Sequence, residues 1–498
     1  ASNMRRGRRW LESMLWSDRS QAQASGSLRQ TLTELRQAFG DDKDILSANR
    51  LEVWLDPTRI QSDLDPMSGL RAVDRELLEG LDVRDAAFDD WKQSLSMRLA
   101  APSPDAPATP AVNSGMHALT IRAAMSEVGS GIERITSQII ADQVAKSLEE
   151  RLSALRFADY ERPRTDDAPD VEIRCDVAED GQRGVVFLRV ESGRDGRVLF
   201  SGHRSVPGVA SDVISAEVIS GLVHSAASKI VHRLPAMVDL NRPEAAAMGF
   251  SSLGLRKLAR FDPKAFEDAQ GYFHKAYETD ANGIHLAWRA FVRMAQLVEG
   301  AGSDRQSWLN EAEALTRKSL EASQDNGLAM ALVALTRIML EDDLQAPAEL
   351  AQQAIRWNDN NLFAKQTLAV AHSAVGDTRK AYELSAACRR SAPDDELSHL
   401  WDLYHALVCI SAGRLPEARA AAAKACEASE GFVAPRRQLV ALCANAGDMQ
   451  GARMYLQQLK GLESGFSLDR YLNDPEYPNL TLRKAGLIDP LRLLDLER

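Results

Sequence analysis

The sequence predicts a multidomain α+β protein: an N-terminal helix pair with a short hairpin, a small α/β domain, and an all-α C-terminal half. Three observations predict it. After Asn241 the chain turns rich in Ala and Leu, with apolar residues at helical spacing and almost no strand-like alternation. In VEIRCDV, Val171, Ile173, Cys175 and Val177 alternate with Glu172, Arg174 and Asp176, the period of two of a half-buried strand. APSPDAPATP, at Ala101–Pro110, is a Pro and Ala linker that separates two modules. The expected boundaries are 5–99 for the N-terminal module, 100–114 for the linker, 115–240 for the α/β domain, 241–465 for the helical repeats and 466–498 for a C-terminal cap.

Residues Arg8–Pro57 read as helix, helix, hairpin. RGRRWLESMLW places Trp10, Leu11, Met14 and Leu15 on one stripe, and QAQASGSLRQTLTELRQAFG places Ala24, Leu28, Leu32, Leu35 and Phe39 on another. Gly40 ends the second helix, and ILSANRLEVWLDP supplies two short strands around Ala48 and Asn49. The strings LWSDR and SLRQ…LR, together with this hairpin, resemble the later part of the winged helix-turn-helix of OmpR-type regulators, as found in SARP and in HilA- or CadC-like activators. LLEGLDVRDAAFDDWKQSLSMRL, from Leu77 to Leu99, resembles the segment next after that module in SARP-like proteins. The resemblance implies a recognition helix from Gln23 to Phe39, with Leu28, Leu32 and Leu35 inward and Arg29, Gln30, Thr33, Arg36 and Gln37 facing DNA. Arg and Gln can read base edges and Arg or Thr can hold phosphates. Asn49 and Arg50 would lie at the wing. The family's first strands and first helix would precede Arg8, so the winged helix is expected to be partial.

In the middle region, HALTIRAAM reads as a strand, and the long helix after it carries Ile135, Ile139, Val144, Leu148 and Leu152. GVVFLRVES and RVLFSGHRSV are two further strands joined by a turn at Gly193–Gly196, and a helix from Ser211 to Leu234 closes the unit. This order resembles the TolB-N-like α/β domain that sits between winged helix and repeats in some CadC-like proteins.

From about Phe261 to Leu459, Val375-Gly376-Asp377, Ala412-Gly413-Arg414 and Ala446-Gly447-Asp448 recur at spacings of 37 and 34 residues. Glycine there supplies the left-handed conformation that ends a helix. Each turn precedes a small residue in the next helix: Ala381, Ala418 and Ala452. The period, the glycine turn and the small residue resemble the tetratricopeptide repeat. Four to five hairpins are expected, forming a superhelix whose concave groove would take a protein partner or ligand.

The net charge of −11 and pI near 5.5 confine any nucleic-acid contact to a local patch. The first 40 residues carry seven Arg against Glu12, Asp18 and Glu34. No apolar run is long enough to span a membrane and no secretory signal is recognisable, so a cytoplasmic location is expected. The five cysteines form no C-x-x-C and read as reduced core thiols. His224 and His232, eight residues apart on one expected helix, lack the companions of a metal site and read as structural. Glu341–Asp343 and Asp394–Glu396 read as turn and helix N-terminal charges. Phosphate-binding glycine loops, H-E-x-x-H and G-x-S-x-G are absent from the sequence, so no catalytic role, cofactor or metal is expected. Two functions remain in view: a cytoplasmic bacterial transcriptional regulator that binds DNA, or a repeat-based adaptor or assembly factor whose winged-helix remnant binds none.

Overall fold

The computed structural model describes residues 4–17, 19–49, 52–60, seven positions between 78 and 95, 119–129, 131–152, 155–157, 169–180, 183–207, 213, 217–236, 238, 242–300, 305–341, 343–393, 395–463 and 465–493. The chain divides into two units, Ala1–Asn113 with Pro235–Asn241, and Ser114–Leu234 with Arg242–Arg498. The linker at 101–110 and Arg50 lie outside the described residues.

In the first unit β1 (Arg5–Gly7) leads into α1 (Arg8–Leu15) and α2 (Gln21–Ala38), and a 3-10 turn at Gly40–Ile45 precedes β2 (Leu46–Ala48) and β3 (Glu52–Leu55). The strands form an antiparallel sheet in the order β1-β3-β2, with Arg6 opposite Val53 and Ala48 opposite Val53 on the other side. The sequence pattern has no counterpart for β1. Arg-Arg-Gly has neither alternation nor β-branched residues, and only pairing with β3 makes it a strand. Ala24, Leu28 and Leu32 are buried on α2, and the two leucines pack with Leu46 and Val53 under Leu11 and Trp16. Leu35, expected inward, is 42% exposed, because α2 runs a turn beyond this small core. Of 77–99 only isolated positions are described. Asp85 there accepts hydrogen bonds from the Ser17 amide (2.6 Å) and hydroxyl (2.9 Å), and Trp91 meets Trp10 edge-on.

The second unit opens on a five-stranded sheet in the order β5-β4-β6-β7-β8. The strand β4 (Thr120–Ala124) is parallel to β5 (Leu155–Phe157) and β6 (Val171–Asp180), while β7 (Arg183–Ser192) and β8 (Val198–Pro207) continue as an antiparallel meander. Two helices, α3 (Gly131–Leu152) and α4 (Glu217–Arg233), pack on the sheet and on each other. The alternation expected in VEIRCDV is present, with one departure. Glu172 is buried because Arg122 and Arg174 both pair with it, which satisfies the charge inside. On α3 the expected stripe holds at Val144, Leu148 and Leu152, which are buried, and departs in the first turns, where Ile135 is 58% exposed and Ile139 half-buried while Thr136, Ser137 and Ile140 are buried. Ser137 Oγ accepts the Val177 amide at 2.9 Å, so a polar residue near the sheet is satisfied and can be inside.

Beyond it, among the described residues, twelve helices form six antiparallel hairpins, one more than the upper expectation: α5 (Pro243–Leu258) with α6 (Pro263–Thr279), α7 (Gly283–Glu299) with α8 (Arg305–Ala322), α9 (Gly327–Leu340) with α10 (Gln345–Trp357), α11 (Leu362–Ala374) with α12 (Thr378–Ser391), α13 (Ser398–Ser411) with α14 (Leu415–Ala428), and α15 (Val433–Asn445) with α16 (Met449–Leu462). Gly376, Gly413 and Gly447 have φ of 85°, 71° and 79°, and Ala381, Ala418 and Ala452 are fully buried where paired helices meet. Asn282, Asn326, Asn361, Asp377 and Asp448 cap the helices they precede, each side chain accepting a first-turn N–H.

The first helices α7, α9 and α11 lie side by side, and aromatic residues of several hairpins meet in the buried core. Phe273 stacks on Trp288, which meets Phe291 and Phe363, and Phe363 meets Trp401. The array also closes on itself, since Phe261 before α6 packs on Phe432 before α15 at 4.4 Å. The C-terminal segment, α17 (Leu468–Asn473), α18 (Leu480–Lys484) and a 3-10 turn at Asp489–Leu493, does not merely cap the end. It reaches α13 and α15 and buries Tyr471, Tyr477, Leu482, Ile488 and Leu491.

Candidate functional site

The helix expected to read DNA begins at a capping box, in which Gln23 Oε1 accepts the Ser20 amide at 3.1 Å. Burial of Ala24, Leu28 and Leu32 turns the opposite side outward, and there Arg29, Gln30, Thr33 and Gln37 are exposed. Arg29 Nε donates to the Ser25 carbonyl at 3.3 Å, Thr33 Oγ1 to the Arg29 carbonyl at 3.0 Å, and Gln30 Nε2 to Glu34 at 2.8 Å. These bonds stay within one helix and leave the side chains at the surface. Arg36 differs: it is half-buried and donates from Nε to the Leu46 carbonyl at 3.3 Å, bracing β2. Arg36 is thus separated from the exposed group, because a helix residue one turn from the hairpin finds a strand carbonyl within reach.

At the wing, Asn49 closes the turn rather than projecting from it. Its amide donates to the Glu52 carbonyl at 2.9 Å and its Oδ1 accepts the Glu52 amide at 2.8 Å. Around this surface Arg5 lies over Trp54 and Arg6 over Trp10, each 5.0 Å from the ring centroid, which holds two guanidinium groups on β1 in place.

The second unit contains a buried polar seam between the α/β domain and the hairpins, which no local pattern foretold. Asn326 Nδ2 donates to the Glu150 carbonyl and Asn358 Nδ2 to Glu150 Oε2, both at 2.8 Å. Burial pushes the Glu150 carboxyl up, although the Asn358 bond and Arg151 oppose it. His224 on α4 pairs with Asp395 at 2.5 Å, and His232 with Glu396 at 3.3 Å. Burial alone would raise Asp395, but the His224 contact and the Leu397 amide outweigh it and hold the carboxyl at about 2. Asp395 is therefore both a turn residue, as expected, and a partner of the neighbouring domain.

No family model matches this chain, and no curated protein matches it. Among solved structures it is similar to a tetratricopeptide repeat protein from Parabacteroides merdae ATCC 43184, at 12% identity over 55% of this chain and 98% of that one, with a TM-score of 0.32. It is similar also to the human IFIT1 dimer with PPP-AAAA, at 16% identity over 56% of this chain and 70% of that one, with a TM-score of 0.37.

Among the described residues no helix is long and apolar enough to cross a membrane. Cys175, Cys388, Cys409 and Cys443 are buried thiols and Cys426 is half-buried. Burial pushes Cys175, Cys388 and Cys409 up to about 12, where a thiol is a poor nucleophile.

Proposed function

We propose that this chain is a non-catalytic bacterial regulator that docks on DNA through α2 and the β2–β3 hairpin, while the α/β domain and hairpins receive a protein partner or signal. The observation that carries the reading is the strand, helix, helix, hairpin order of the first unit, with Arg29, Gln30, Thr33 and Gln37 exposed on one helix. A helix offering Arg and Gln without burying them has the chemistry of major-groove contact, and the arginines of β1 and α1 supply phosphate partners.

The test is selection of duplexes by the full chain from a random pool, then gel shifts of Arg29→Ala with Gln30→Ala. We expect the pair to weaken binding to the selected site by about 10- to 100-fold, as loss of base contacts does, with less effect on random DNA. A wild type that retains no duplex at low salt would overturn the reading.

The alternative, a repeat-based adaptor or assembly factor, draws on one observation. Arg36 is turned onto the hairpin and the acids Asp41, Asp42 and Asp44 come directly after α2, which thins the basic surface. A stable protein complex without DNA, recovered with the tagged full chain, would favour it.

A further inference from the structure

On α13, His405 and Cys409 are four residues apart and so share a face one turn above the other. The left-handed Gly413 turn then sends α14 back alongside, and Glu417, in its first turn, comes down on the same spot. His405 Nε2 is 3.1 Å from Glu417 Oε1 and 3.4 Å from Cys409 Sγ. Among the described residues this is the group of His, Cys and carboxylate whose ligand atoms all lie within 4.8 Å of one another.

We propose that His405 Nε2, Cys409 Sγ and Glu417 Oε1 form a binding site for a borderline-soft divalent cation, Zn²⁺ in the first instance. Bond lengths to zinc of about 2.0–2.3 Å at tetrahedral angles separate nitrogen from oxygen by about 3.4 Å and nitrogen from sulfur by about 3.6 Å. The observed separations are a few tenths of an ångström shorter, so the site needs only to open slightly.

The surroundings suit a metal site. Ser385 Oγ lies 3.2 Å from His405 Nδ1, the nitrogen left over for an orienting hydrogen bond. Glu417 divides its oxygens: Oε2 accepts from Arg414 Nε at 2.8 Å, outside the cluster, while Oε1 faces inward. Tyr382 Oη donates to Oε1 at 2.9 Å and stands where it or a water could complete the shell. His405 and Cys409 are buried and Glu417 is one-third exposed, which leaves a path from solvent. On binding, the Cys409 thiol gives its proton to water and the thiolate takes the metal. The ion would staple α13 to α14 across the Gly413 turn.

Cys443 is an internal control. It sits four residues before Gly447 as Cys409 sits before Gly413, but Leu439 and Gly451 stand where His405 and Glu417 do. The experiment titrates reduced, chelator-treated full-length protein with Co²⁺ as an optical probe and then with Zn²⁺. We expect one equivalent per chain, with tetrahedral d–d absorption and a thiolate-to-cobalt charge-transfer band that Zn²⁺ abolishes. Cys409→Ser should lose the charge-transfer band and Cys443→Ser keep it. Glu417→Gln, which keeps the side chain's shape and an acceptor oxygen, should weaken binding by at least about tenfold while leaving the thermal unfolding of the metal-free protein close to wild type. Absence of the band in wild type, its persistence in Cys409→Ser, or unchanged affinity in Glu417→Gln would each overturn the proposal.

Discussion

His285, on α7, is 2% exposed, with Nδ1 at 2.8 Å from Ser251 Oγ and no partner for Nε2. Burial lowers its pKa to about 4. His399 packs edge-on between Phe261 and Phe432, and burial lowers it likewise to about 4 against the pull of Asp395. Both rings are neutral in the fold, while the unfolded chain takes up their protons near pH 6.5. Below that the unfolded state binds more protons, so stability falls as pH falls from about 6.5 to about 4, by up to about 1.4 kcal/mol per unit for each ring. Glu299, pushed up to about 7 by burial against the nearby Arg437 and the Val433 and Ala434 amides, has the opposite sign. The test is therefore a difference: urea unfolding of wild type and His285→Asn between pH 7 and 5. The variant should lose about 1 kcal/mol per pH unit less than wild type below pH 6; parallel curves would refute a buried neutral His285. None of this was legible in the sequence, where a histidine in a helix looks the same whether it is buried or solvated. The cluster at His405 escaped for a related reason, because its third member comes from the next helix and the spacing matches no standard motif.

At the scale of an element, the glycines divide by what surrounds them. A Cβ on Gly283, at the start of α7, would stand 2.4 Å from the Ser319 carbonyl and 2.6 Å from Ser323 Oγ. Backbones touch here, and Ser319 Oγ donates to the Gly283 carbonyl at 2.8 Å. Gly271, on the outer face of α6, has nothing within 4 Å. Gly283→Ala should cost about 1–3 kcal/mol by forcing α7 from α8, whereas Gly271→Ala should stabilise by about 0.5–1 kcal/mol through helix propensity alone. Thermal unfolding of both variants checks this, and a neutral Gly283→Ala would deny the close approach. The turn glycines were legible because a left-handed helix end restricts the residue locally. The turn between α5 and α6 was not: it holds Phe261 at a φ of 51°, a conformation that only tertiary contacts support and no glycine advertises. Likewise the period of two located the β6–β8 meander, while β1 and β5, three residues each, exist through their pairing partners.

At the scale of the whole second unit, the hairpins depart from a linear stack in which each repeat touches only its neighbours. Arg437 on α15 donates to the carbonyls of Val298 at 2.5 Å and Glu299 at 2.8 Å, at the end of α7, and pairs with Glu463 at 3.0 Å. Glu299 in turn accepts the amides of Val433 and Ala434, the free N–H groups that begin α15, where the helix dipole favours an acid. Two elements more than 130 residues apart thus satisfy each other's helix ends. Removing Arg437 leaves buried acceptors and Glu463 without their partner, a loss of about 3–5 kcal/mol for a buried pair. Because the contact is long-range, Arg437→Leu should raise amide hydrogen exchange at the C-terminal end of α7 and in α15 together, leaving the intervening α11 less affected. Arg379→Ala, which breaks an exposed ion pair with Glu383 on α12, should change exchange at neither end. If α7 kept its protection in Arg437→Leu while α15 lost it, the array would be linear in solution, each hairpin held by its neighbours alone.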